Sequence, residues 1–237
     1  GGAITQAGAV AIGRSALSAL TTGTGNLAIG YQALKVHTTG SDNIAIGYGA
    51  MNDTDGTNIS SGSAATVLGS TDNLFIGRDS GGGNWCSGAA AAASNWNVGI
   101  GNYTLNAGLS GSVANIAIGY SAGKAITTAD GNILIGFESA DLLTTGSGNV
   151  AVGYRTLDAA DGIEEYNIAI GYEAMGAFDE NGNAGNENIA IGRDALMGGA
   201  CDGNTTGNVA IGAYAMDETS TNAQIGTVSI GAGPLGR

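Results

Sequence analysis

The sequence predicts an all-β fold, a parallel β-roll or β-solenoid of about twelve coils of ~17 residues each. Three observations predict it. A short aliphatic segment ending in glycine recurs along the whole chain, at Gly13, Gly30, Gly47, Gly77, Gly101, Gly119, Gly136, Gly153, Gly171, Gly192, Gly212 and Gly231. The spacing is most often 17 or 18 residues, too short for a helix, two strands and their turns, but enough for two short strands and two corners. The 44 glycines are largely periodic, which separates this chain from a disordered low-complexity sequence.

The unit is numbered from the residue four before the glycine. Position one is Asn in ten copies, from Asn26 to Asn208, with Ala9 and Thr227 in the first and last. Asn tolerates left-handed backbone and bonds nearby main chain, so it suits a corner, and stacked amides can form a ladder. Position two is Val, Leu or Ile throughout, and position four is Ile in eleven copies and Val152 in the other. Position three is small in ten copies, with Phe75 and Leu134 as exceptions. Alternation puts positions two and four on one face and position three on the other. The expectation is that the aliphatic face forms the core, with Ile118, Ile135 and Ile170 fully buried. The small face, Ala169 included, would then meet another chain. The glycine is expected at positive φ. The segment after it, such as Tyr31-Gln32-Ala33-Leu34, reads as a second strand over the first. Polar turns follow, with Thr-Thr pairs at 21–22, 38–39, 127–128, 144–145 and 205–206 serving corner chemistry. Twelve coils at about 4.8 Å would give a rod roughly 55 Å long.

The unbroken repeat makes residues 1–237 one domain, interrupted by insertions at 52–72 and 82–96. A coil this thin has little interior, which argues for several copies packed side by side. A homotrimer is a natural cyclic closure. Net charge is −13, which does not favour nucleic acid, since phosphates need neutralising. No apolar run is long enough for a membrane-spanning helix, so direct membrane insertion is not expected. The chain begins with Gly1 rather than Met and is expected to be a piece of something longer. Cys86 and Cys201 lie six coils apart, roughly 29 Å. That is beyond the ~7 Å a disulfide spans, so they are expected as unpaired thiols.

The string Asn-x-Ala-Ile-Gly with a small residue three positions on is clearest from Asn26 to Ala33, Asn43 to Ala50, Asn115 to Ala122, Asn167 to Ala174, Asn188 to Ala195 and Asn208 to Ala215. It resembles the YadA-like head repeat of trimeric autotransporter adhesins and related viral and phage tail fibres. The resemblance spans nearly the whole chain and implies a left-handed parallel β-roll, three of which pack around an axis, and a role in surface attachment. The unit here is longer than in the adhesin heads, which leaves a fibre relative as close as a true autotransporter.

Candidate binding residues fall into two groups. Trp85 and Trp96, both tryptophans of the chain, sit in the second insertion and could stack on a sugar or anchor a partner, or else cover an irregular coil. Tyr120, Phe137, Tyr154 and Tyr172 follow the glycine in four consecutive coils, as Tyr31 and Tyr48 do earlier. Such rings form either a glycan-binding stripe or cross-strand packing. Asp179-Glu180-Asn181-Gly182-Asn183 alternates oxygen ligands as calcium loops do, but lacks the sixth-position Gly and the closing Glu, so it reads as a solvated acidic loop; Asp53 and Asp55 are weaker still. No metal and no cofactor is expected. Catalysis has little support: His37 is the only histidine, and Glu164, Glu165, Asp179 and Glu180 are merely acidic and close in sequence. The expected function is a non-enzymatic extracellular fibre or adhesin segment, on a bacterial surface or virion, attaching to a host glycan or protein receptor. The alternatives are an architectural filament or sheath subunit and a glycan-degrading tailspike.

Overall fold

The computed structural model describes residues 7–54, 69–85, 92–160, 162, 164–177, 185–198, 205–217 and 225–233. The fold is an all-β solenoid of parallel three-residue strands. The chain forms two compact units, Gly1–Asn115 and Ile116–Arg237.

The first unit carries β1 (Val10–Ile12), β2 (Leu27–Ile29), β3 (Ile44–Ile46), β4 (Leu74–Ile76) and β5 (Val98–Ile100). Each pairs in parallel with the next, and position four stays in register from Ile12 through Ile29, Ile46 and Ile76 to Ile100. The second unit carries β6 (Ile116–Ile118), β7 (Ile133–Ile135), β8 (Val150–Val152), β9 (Ile168–Ile170), β10 (Ile189–Ile191), β11 (Val209–Ile211) and β12 (Val228–Ile230). Its register is equally strict, from Ile118 to Ile230.

Which face is the core reverses the sequence expectation. Position three is the inward row: Ala28, Ala45, Phe75, Ala117, Leu134, Ala151, Ala169, Ala190 and Ala210 are all fully buried. Positions two and four point outward. Ile118 and Ile135 are half-buried, and Ile170 keeps 37% of its surface exposed. The reason lies in the segment after the glycine, which folds back so closely that only a methyl group fits between the two layers. Ser80 Oγ donates to the carbonyl of Gly99 and Ser139 Oγ to that of Ala151, so this segment lies directly across the strand's inner face. Its third and fourth residues complete the interior, as with Ala33 and Leu34, Ala50 and Met51, or Ala174 and Met175.

The two large inward residues show how tight this interior is. Phe75 is matched by Gly81 in its own coil, where most coils have Leu or Met, and by Gly99 in the next strand. A Cβ at either glycine would collide with the Phe75 ring. Leu134 is matched by Ala140. Volume is thus conserved coil by coil, as close-packed interiors require.

The second segment is not a strand. It is a stacked turn in which residues two and four after the glycine are left-handed, for example Gln32 at φ 60° and Leu34 at φ 49°. Its amides still bond between coils: Gln32 N–H donates to Arg14 O and Leu34 N–H to Ala50 O. The closing glycines have φ from 125° to 146°, as expected. A Cβ on Gly153 would meet the carbonyl oxygen of Gly171, so close stacking also excludes a side chain there.

Position one forms the predicted amide ladder. In the first unit Asn43 Nδ2 donates to Asn26 Oδ1 (3.1 Å), and Asn73, Asn97 and Asn115 repeat the bond at 3.0, 3.2 and 3.0 Å. In the second unit Asn149, Asn167, Asn188 and Asn208 do the same from Asn132 onward, at 3.0–3.2 Å. Each Oδ1 also accepts the backbone N–H of the next Asn. These amides are buried, and the ladder satisfies them. The left-handed corner residue is not the Asn but the one before it, such as Gly25, Asp42, Trp96 or Gly148. Three of the Thr-Thr corners bond through a hydroxyl, Thr21 Oγ1 donating to Thr38 O, Thr127 Oγ1 to Thr144 O and Thr145 Oγ1 to Gly162 O, whereas Thr205 Oγ1 is buried with no hydrogen-bond partner among the described residues.

Candidate functional site

The residue after the closing glycine lies just outside the turn, and strict coil register stacks it. In the second unit Tyr120, Phe137, Tyr154 and Tyr172 form one continuous pile, with centroids 5.1–5.3 Å apart and planes within 7–13° of parallel. Tyr31 and Tyr48 stack likewise in the first unit at 5.1 Å. The rings of the longer pile are 41–48% exposed.

Exposure alone does not make this a sugar platform. A pyranose stacks on an open ring face. Here Phe137 has Tyr120 and Tyr154 on its two faces, and Tyr154 has Phe137 and Tyr172. The column therefore presents ring edges and phenol hydroxyls to solvent.

Arginines occupy the same repeat position and extend the columns. The Arg14 guanidinium lies 5.9 Å from the Tyr31 centroid and that of Arg78 5.6 Å from Tyr48, so the Tyr31–Tyr48 pair is flanked on both sides. Arg193 stands 5.8 Å from Tyr172 and 5.2 Å from Tyr214. Each is a cation–π contact. Sequence reasoning missed these arginines, although the strings Gly13-Arg14, Gly77-Arg78 and Gly192-Arg193 put them at the tyrosine position.

A charged row runs beside the longer column. Arg155 Nε lies 3.0 Å from Glu138 Oε2 and 3.2 Å from Asp158 Oδ2. Burial pushes the Asp158 carboxyl up to about 6 against the opposing pull of Arg155, and neighbouring Asp141 adds to the rise. Burial raises Asp141 as well, with Glu138 contributing. The Tyr172 phenol is held above its ordinary value first by its hydrogen bond to Glu173.

The tryptophans separate completely. Trp85 is fully buried, edge-on to Phe75 at 5.9 Å, with its Nε1 donating to Gly81 O at 3.0 Å. It does not project: it caps the space around the inward Phe75 ring. Trp96 is 59% exposed at the corner before Asn97. The two were adjacent candidates in sequence, but only Trp96 offers its ring to solvent.

His37 is buried between Thr54 Oγ1 (2.9 Å from Nδ1) and Asn43 Nδ2 (3.2 Å from Nε2). Glu164 is also buried, with Oε2 accepting the Gly162 N–H and its carbonyl accepting Asn149 Nδ2. Among the described residues no three His, Cys, Asp or Glu side chains gather to hold a metal. Asp55, Cys86, Cys201 and the Asp179–Asn183 loop lie outside the described residues.

Comparison of the chain with protein-family models, with curated proteins and with solved structures found no match. The functional argument therefore rests on the fold, these surfaces and the repeat motif of the sequence.

Proposed function

We propose that this chain is a non-enzymatic, self-associating segment of an extracellular attachment fibre, an adhesin head or viral tail fibre, working as a homotrimer. The observation that carries the reading is the outward aliphatic face. Each unit turns two in-register rows of Ile, Val and Leu away from its own core, with Ile44, Ile133, Ile170 and Ile191 each more than a third exposed. Soluble monomers rarely leave a contiguous apolar face open. The occupant follows from the repetition. A row with the same chemistry at every coil is complementary to itself, so parallel copies around a symmetry axis would bury isoleucine on isoleucine. The contact is thus assigned to positions two and four rather than to position three. The resemblance to adhesin heads and tail fibres supplies the attachment role, on a bacterial surface or virion and toward a host glycan or protein.

Sedimentation equilibrium at micromolar concentration tests this. Three chains per particle are expected, and Ile170→Glu should yield a folded single chain, because it places a charge in the contact but not in the coil interior. A folded monomer from the unaltered chain would overturn the reading.

A further inference from the structure

The covered and uncovered rings of this protein lead to one more assignment. Tyr31, Tyr48, Phe137, Tyr154 and Tyr172 all have their faces taken by a ring or a guanidinium. Among the described residues no ring or cation lies against Trp96, and it is 59% exposed. It also occupies an awkward place. Its φ is +59°, and the equivalent corners of the first unit carry Gly25, Asp42, Asp72 and Ala114. One other described corner holds a bulky, exposed residue this way, Tyr166 before Asn167 (φ +57°, 61% exposed), but its ring lies over Gly148 of the preceding corner, whereas the corner before Trp96 carries Asp72.

The surroundings fit one ligand chemistry. Trp96 N–H bonds to Thr71 O, so Thr71 and Asp72 of the preceding coil lie beside it, and Asn95 precedes it. Thr71 Oγ1 donates to Asp72 Oδ2 at 3.1 Å, and Asn95 Oδ1 accepts the Thr71 N–H at 2.7 Å. Among the described residues Asp72 Oδ1 and Asn95 Nδ2 carry no hydrogen bond, which leaves an acceptor and amide donors on the residues that flank Trp96 in the chain and in the preceding coil. On the far side the next corner is Ala114, whose methyl leaves room. An exposed indole on a corner that also carries a carboxylate and a carboxamide suits a sugar ring, which has an apolar face and a rim of hydroxyls.

We propose that Trp96, with Asp72 and Asn95, is a stacking platform for an uncharged pyranose glycan. The sign of the charge selects the class. Asp42 and Asp72 stand in the same corner column and the chain carries −13 overall, so sialylated, sulfated or uronic-acid glycans meet like charge. The assignment rests on the attachment reading above and gives it a ligand.

The test uses the full chain on a printed panel of neutral hexose, N-acetylhexosamine, sialylated and uronic-acid oligosaccharides, with the particle mass measured on the same preparation. Binding to neutral glycans is expected, reduced at least tenfold by Trp96→Ala and several-fold by Asp72→Ala, and unaffected by Tyr154→Phe. Since Trp85 is buried, quenching of the exposed tryptophan signal by iodide should be relieved by a bound neutral oligosaccharide and be absent in Trp96→Ala. Binding that survives Trp96→Ala, equal binding of anionic glycans, or no neutral glycan bound by an intact three-chain particle would overturn the platform. A monomeric particle would instead overturn the attachment reading beneath it.

Discussion

Ala169 and Ile170 are neighbours in β9, yet they belong to different worlds. Ala169 faces inward, where a methyl group fills the space between strand and turn. Ile170 faces outward, more than a third exposed. The inner row is chosen by volume and the outer row by area. A three-residue strand in a coil this thin cannot place a large aliphatic residue on the inside unless the opposite segment gives way, as Gly81 does for Phe75 and Ala140 for Leu134. Large aliphatics are therefore repeated on the side where volume is free. A hydrophobic residue repeated at every coil marks a core only if the core is large enough to hold it.

The sharpest way to break the comparison is Ala169→Leu. Overpacking this row should cost about 3 kcal/mol or more by thermal or urea unfolding. Adding Met175→Ala reproduces the combination found around Leu134 and Ala140, so the double variant should recover about 1–2 kcal/mol of that loss as coupling energy. A loss that does not depend on Met175 would show that the two layers are not matched in volume.

Next in size is the ladder that both rows depend on. Asn149→Ala removes the amide that bridges Asn132 and Asn167 and that donates to Glu164 O. At about 1–3 kcal/mol for each buried group left unpaired, a loss on the order of 3 kcal/mol is expected. Hydrogen exchange should show it as faster exchange at the Asn167 backbone amide, which loses its Asn149 Oδ1 acceptor, with the remote coils unchanged.

On the outer row the expected effect in an isolated chain is smaller. Ile170→Ala should cost about 1 kcal/mol, since part of the side chain is already in water. Its larger effect should appear as weaker association at dilute concentration. If Ile170→Ala were to cost as much as Ala169→Leu under conditions where the chain is monomeric, the outer row would be part of the core after all.

The smallest effect concerns Asp158. Its folded carboxyl is raised to about 6 from an ordinary 3.8. The folded chain then holds this proton more tightly than the unfolded one, so the group's contribution is most favourable below about pH 4 and declines as pH rises through about 6. Asp158→Asn removes the penalty. Its melting temperature should exceed that of the unaltered chain at pH 7, and the gain should shrink toward pH 4. An equal gain at both pH values would point to packing or to the Arg155 contact instead.

Much of this architecture is written in the residues. Period, strand position, closing glycine and asparagine ladder all follow from the string Asn-x-Ala-Ile-Gly. The orientation of the strand does not, because alternation says which side chains share a face but not which face is enclosed. The signal was nevertheless present, in the pairing of Phe75 with Gly81 and of Leu134 with Ala140. The same holds for the turn segment: Gly49, Gly81 and Gly123 fall on its left-handed positions and argue against an extended strand. Gly25, Gly131, Gly148 and Gly207 likewise mark the corner before each Asn. What no local pattern contained was the fate of the tryptophans. Trp85 is buried because Phe75, ten residues earlier, needs a lid, whereas Trp96 stands at a corner that most of the described coils expose.

The asparagine ladder also governs how such a chain can change length. Its rungs are 17, 30, 24 and 18 residues apart in the first unit and 17, 18, 21 and 20 in the second, yet every amide meets the next at nearly the same distance. The fold counts rungs and ignores what is threaded between them. A gene can therefore add or delete one whole coil, or lengthen a single corner, without retuning its neighbours. An edit that removes one asparagine breaks the count. A protein built this way can vary its reach in steps of a single coil and decorate any one corner, Trp96 among them, while the rest of the chain keeps its register.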